Sequence, residues 1–219
     1  MVSIAPKIQS APPIVEEITE EIAMPLRLKG SDDTEQRVTY LNRTWEQFKL
    51  LEQGLDGLTG LRLFYFDEKV EILMPGRNHE LFTEVIALLV QVFLLARGLE
   101  FTPTGSMTRE EEGSGSAEPD KSYEFCELKL AIEVMVTSGS INKLNLYKVL
   151  GFHEVWFWED GLLVAYHLRE DVYEKVDRSQ IPELVEIQLD VLSQCILIGE
   201  TSRVYACKKF LAAHPNVST

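Results

Sequence analysis

Asp120, Glu133 and Lys143 are the side chains whose types and spacing could do chemistry together. Asp120 follows a Gly- and Ser-rich stretch, where an acid can face solvent. Glu133 stands inside the apolar run KLAIEVMV. Strand alternation puts Leu130, Ile132, Val134 and Val136 on one face and Ala131, Glu133 and Met135 on the other. An ionised carboxylate in a buried strand costs several kcal/mol unless it meets a cation, a hydrogen-bond donor or a metal. Lys143 lies ten residues further on, at the start of an expected helix, and its stem could carry an ammonium back over the strand end.

Two carboxylates on neighbouring strands make a hard-oxygen site suited to Mg²⁺ or Mn²⁺. Such an ion neutralises a phosphodiester and lowers the pKa of a bound water, and a nearby lysine offsets charge as the bond breaks. The same spacing also describes an ordinary satisfied ion pair between Glu133 and Lys143.

The elements that must position these groups follow from the pattern of the chain. Residues 1–37, with four prolines and the acids Glu16, Glu17, Glu20 and Glu21, read as a flexible or peripheral tail. A single domain is expected over 38–219. Thr44 caps a short helix that Gly54 would stop. LRLFYF and VEILM form a hairpin around Asp67 and Glu68. A long helix follows from a cap at Asn78 to a stop at Gly98, with Phe82, Ile86, Leu89 and Phe93 on its core face and His79 projecting from that face. Thr83 and Ala87 fall on its wetter side.

Next come a strand over 100–107, an exposed mobile loop at REEEGSGSAE, and strands at SYEFCE and KLAIEVMV. A helix over 140–150, capped by Ser138 or Ser140, leads to a hairpin turning at Asp160-Gly161. That helix links two strand runs, so part of the sheet is expected to be parallel. One more strand at Val172 to Val176 and two helical segments complete a mixed α/β fold with an extra C-terminal segment. Trp156 and Trp158 read as sheet packing, Tyr147 as packing near the pocket, and Glu118 as a loop acid or a flank of the metal. Lys208 and Lys209 form a small basic pair.

Composition narrows the functions open to the chain. Its 219 residues carry 21 basic and 35 acidic side chains, a net charge of −14. This excludes a basic nucleic-acid coat, so contact with phosphates has to be local or metal-assisted. Three widely spaced cysteines (Cys126, Cys195 and Cys207) argue against a disulfide framework or zinc knuckle. The longest apolar stretch, Val85 to Ala96, is too short to span a bilayer, and no secretory signal is read at the N-terminus. A cytoplasmic protein without a membrane partner is expected.

The stretch EPD, then IEV, then TSGSINKLNLYKVLGFHEVWFW resembles the Uma-type restriction endonuclease-like family of the PD-(D/E)XK nuclease superfamily. GRNHELFTEVIALLVQVF, GLEF and TGSMTREE fit as well, so the resemblance spans about Thr44 to Leu168. It implies a restriction-endonuclease-like core, a mixed central sheet flanked by helices, and metal-dependent hydrolysis of DNA. Pro119-Asp120 takes the PD place, and Glu133 takes the acid of the strand. The Val134 carbonyl would be a third metal ligand. Met135 stands where the superfamily places its strand lysine, and Lys143 takes over that role from the following helix. His79 matches a histidine of the family's long helix. A homodimer is implied by the habit of the superfamily. The competing reading is a binding or regulatory module that keeps the fold but does not cut, and hydrolysis of another phosphate ester also remains open.

Overall fold

The computed structural model describes residues 34–136 and 142–215. Most of the expected tail, together with Ser138 and Ser140, lies outside the described residues. Among those described, two sheets and five α-helices build a mixed α/β architecture.

The first sheet has the order β1-β3-β2-β6-β5 and is antiparallel throughout. Its edge strand β1 (Gln36–Tyr40) begins inside the segment expected to be tail. Helix α1 (Trp45–Leu55) starts at Thr44, which forms a capping box with Gln47. The helix runs one residue past Gly54. The hairpin β2 (Arg62–Phe66) and β3 (Lys69–Met74) forms as expected, and Asp67 and Glu68 both take the positive φ of a tight primed turn.

The acidic, Gly-rich stretch differs from expectation. It folds into a second hairpin, β5 (Arg109–Glu111) and β6 (Gly115–Ala117), with Gly113 at φ +74° in the turn. Packing explains why a segment that reads as loop becomes a strand. A Cβ at Gly115 would lie 2.8 Å from Leu146 Cδ1, so the missing side chain lets β6 lie close to the next layer.

The second sheet has the order β11-β10-β9-β8-β7-β4. Strand β4 is only Thr102–Pro103, shorter than the strand expected over 100–107. Strands β7 (Lys121–Phe125) and β8 (Leu128–Met135) form an antiparallel hairpin. Helix α3 (Lys143–Val149), capped by the Asn142 side chain, then crosses over, and β9 (Glu154–Glu159) returns parallel to β8. β10 (Leu162–Arg169) and β11 (Val172–Val176) complete the sheet. The β9–β10 hairpin is interior to this sheet, because β8 and β11 flank it.

Helix α2 (Arg77–Arg97) ends at Gly98, which adopts the left-handed C-cap conformation. It begins at Gly76 rather than Asn78, with no side-chain cap. Ile86, Leu89 and Phe93 are fully buried as expected, but Thr83 and Ala87 are buried too. The helix lies between the second sheet and the pair α4 (Leu189–Thr201) and α5 (Arg203–Ala213), so more than one of its faces is covered. By length and apolarity alone α2 is long enough to cross a membrane, and half of its most apolar window is buried inside the fold. The stretch Val85 to Ala96 lies within this helix, as expected, and the apolar window that meets the membrane-length test extends beyond it.

The alternation in β8 separates two cores. Leu130, Ile132 and Val134 join α2, α4 and α5 in the main core. Ala131, on the opposite face, joins Leu146 and Tyr147 of α3 with Phe64 and Leu73 of the first sheet. Leu63, Tyr65, Val70 and Ile72 face the other way, towards Phe48 of α1. Arg62 and Glu71, in register with Phe64 and Leu73, therefore face the seam between the two sheets. Full burial of one such Leu or Phe is worth about 1.5–3 kcal/mol, which makes the seam rigid enough to hold charges.

Candidate functional site

The seam holds a contiguous set of buried ionisable groups. Asp120 immediately precedes β7. The β7–β8 register, which pairs Lys121 with Ile132, continues so as to set Asp120 opposite Glu133. Asp120 and Glu133 are each 1% exposed, and Lys143 is 6% exposed. Asp120 Oδ2 accepts the backbone N–H of Val134 at 2.6 Å, so the side chain takes a place that a ladder partner would otherwise fill. Glu133 accepts from Lys143 Nζ at one oxygen and from the Tyr147 hydroxyl at the other.

Lys143 belongs to the first turn of α3, and its ammonium also lies over the Phe64 ring, 3.7 Å from the centroid. Tyr147 follows one helical turn later, so one face of α3 presents both groups to Glu133. Burial, and after it the Glu133 carboxylate, hold the Tyr147 hydroxyl well above the ordinary tyrosine range. Tyr147 therefore packs, as expected, and also serves Glu133 as a proton donor.

His79 lies in the first turn of α2. Its Nδ1 is 2.7 Å from Glu35 Oε2, and its Nε2 is 2.9 Å from Asp120 Oδ2. The Arg62 guanidinium contacts Asp120 directly, reaches His79 Nε2 at 2.9 Å and pairs with Glu80 at 2.9 Å. Beyond Glu35, Arg37 joins the network by bonding both Glu35 and Glu71. A single chain of contacts thus runs from Glu71 on β3 to Asp120. The Asp120–Val134 bond brings it to the residue beside Glu133.

The structure thus brings Asp120 together with His79 and Val134, and Glu133 together with Lys143. Glu118 stands apart from these contacts. It is half-buried, accepts a long 3.5 Å bond from Thr108, and burial pushes its carboxyl up. It lines a groove of about 420 Å³ with Glu52, Asp56 and Leu63, away from Asp120 and Glu133. Trp156 and Trp158 are buried in the sheet core, and the Trp156 indole donates to Glu154 at 2.6 Å.

Glu35, Arg37, Arg62 and Glu71 all escaped the sequence reading as members of the cluster. Glu35 falls in the stretch read as tail. Arg62 and Glu71 are lone charges in apolar strands, LRLFYF and VEILM, which is the same signal that singled out Glu133. Among the described residues, no group of three or more His, Cys, Asp or Glu side chains stands ready to hold a metal. No protein-family model, curated protein or solved structure matches this chain.

Proposed function

We propose that the chain is a divalent-metal-dependent nuclease with a restriction-endonuclease-like core, cleaving DNA phosphodiesters. The observation that carries this reading is the burial of Asp120 and Glu133 at the margin of a mixed sheet, with Lys143 supplied by the crossover helix between its two parallel strands. Two acids and a lysine distant in sequence are costly to bury, and their convergence at one strand end suits phosphoryl chemistry.

The donor set fits a hard divalent ion. Asp120 Oδ1 is buried against the Arg62 guanidinium, and Oδ2 meets the Val134 N–H and His79 Nε2, so the carboxylate is already held at the seam as an anion. Asp120, Glu133 and the Val134 carbonyl would hold Mg²⁺ or Mn²⁺ through oxygen. The ion would supply an activated water and charge neutralisation at the phosphate. The Val134 N–H keeps Asp120 oriented, while Lys143 offsets the charge of Glu133 and would be the cation available to a developing oxyanion. His79, fixed by Glu35, lines the Asp120 side of the site. The three free cysteines support a reducing, cytoplasmic setting.

Purified protein incubated with supercoiled plasmid and Mn²⁺ tests this reading. Nicking or linearisation is expected, with loss of cleavage in Asp120→Ala and Glu133→Ala. Cleavage by both variants at the wild-type level would remove the mechanism. Light scattering tests the homodimer, and a monomeric mass would overturn it.

A second reading is favoured by one observation. Both carboxylates already have protein partners, Arg62 for Asp120 and Lys143 with Tyr147 for Glu133. A binding or regulatory module that keeps these pairs intact would take up no Mg²⁺ or Mn²⁺ in calorimetry at millimolar metal.

A further inference from the structure

The geometry points to Arg62 as the resident counter-cation of Asp120, which a divalent ion displaces on binding. The inference rests on the metal-dependent reading above and adds a residue that it does not use. The Asp120 side chain is wholly buried, so removing its cation without a replacement is costly. A guanidinium and a divalent ion compete for that oxygen, because at equal separation their mutual repulsion is twice the attraction that the guanidinium offers the carboxylate.

The two Asp120 oxygens divide the work. Oδ2 is held by the Val134 N–H at 2.6 Å and lies 2.9 Å from His79 Nε2, while Oδ1 meets only the Arg62 guanidinium. The carboxylate therefore keeps its orientation while Oδ1 changes partner. Arg62 has a second seat ready. Its Nη2 already pairs at 2.9 Å with Glu80, whose side chain is 51% exposed and opens towards solvent. Charge favours the exchange. Glu35, Glu71, Glu80, Asp120 and Glu133 surround the three permanent cations Arg37, Arg62 and Lys143, so the cluster retains an excess of negative charge.

Titration calorimetry with Mn²⁺ on the full chain, wild type against Arg62→Gln, tests the displacement. Arg62→Gln is expected to bind Mn²⁺ at least tenfold more tightly, to melt lower without metal, and to gain more in Tm from added Mn²⁺. Arg62→Gln that binds no more tightly than a metal-binding wild type would overturn the displacement and leave the nuclease reading standing. No binding by either protein would overturn both. Should Arg62→Gln not fold, ¹⁵N spectra of the arginine side chains of the wild type decide instead. With Mg²⁺ the Arg62 Nη signals should move to solvent-like values, and unmoved signals in metal-bound protein would overturn the exchange.

Discussion

The carboxylate of Asp120 accepts the main-chain N–H of Val134 at 2.6 Å, so a side chain from one strand caps the backbone of the next, beside Glu133. One residue thereby joins two duties, closing the sheet margin and holding a charge there. Asp120→Asn keeps an acceptor for Val134 but leaves Arg62 with Glu80 as its carboxylate partner, whereas Asp120→Ala loses the acceptor as well. Denaturant unfolding is expected to show a loss of about 3–5 kcal/mol for the alanine variant and a smaller loss for asparagine. Equal losses would mean that the hydrogen bond contributes nothing.

Lys143→Met leaves the buried Glu133 carboxylate with the Tyr147 hydroxyl alone, an expected cost of about 3–5 kcal/mol. Adding Glu133→Gln should recover much of that loss, because the uncompensated charge is gone. A double-variant cycle in urea measures the coupling, and additive losses would show that the two side chains do not interact.

Tyr147→Phe removes only the hydroxyl and keeps the ring against Phe152, whose centroid is 5.1 Å away. The loss should be about 1–3 kcal/mol, the cost of leaving a buried acceptor of Glu133 unmet. A neutral result would reduce Tyr147 to packing.

Gly199→Ala would set a Cβ 2.4 Å from Val85 Cγ1, where α4 crosses α2. The branched side chain of Val85 has no room in the core to withdraw, so a loss of about 1–3 kcal/mol is expected in thermal melts. Gly115→Ala, at 2.8 Å from the more flexible end of Leu146, should cost less. The reverse order would contradict the close crossing of the helices.

Burial raises the Glu118 carboxyl, so the folded chain holds that proton to a higher pH than the unfolded chain does. The stability linked to this group is complete below the ordinary carboxylate range and is lost as pH rises through the raised value. Glu118→Gln should therefore raise the stability modestly at pH 7, and the gain should vanish on acidification through the ordinary carboxylate range. A gain independent of pH would assign the effect to something other than ionisation.

Much of the scaffold was legible in the order of the residues. Alternation in KLAIEVMV separated the Leu130, Ile132 and Val134 face from the Glu133 face, and the two faces enter different cores. Thr44, Gly98 and Asp160-Gly161 marked helix and turn boundaries because their side chains, or lack of them, act on their own backbone. The acidic stretch 109–117 was misread, since its local composition says loop while Leu146 and the β2 edge impose a strand. The cap of α2 was misplaced because Gly76 starts the helix without a side-chain signal.

By itself, the sequence determined which charges are too costly to bury alone, because an acid inside an apolar strand carries its desolvation cost in any fold. It pointed to Lys143 as the cation for Glu133, ten residues further on, but not to the cation that answers Asp120. That choice depends on the seam between two sheets, where Arg62 reaches Asp120, Lys143 reaches Glu133, and Glu35, from a stretch that reads as tail, reaches His79. Such pairings join residues far apart along the chain, and Coulomb attraction acts on distance in space.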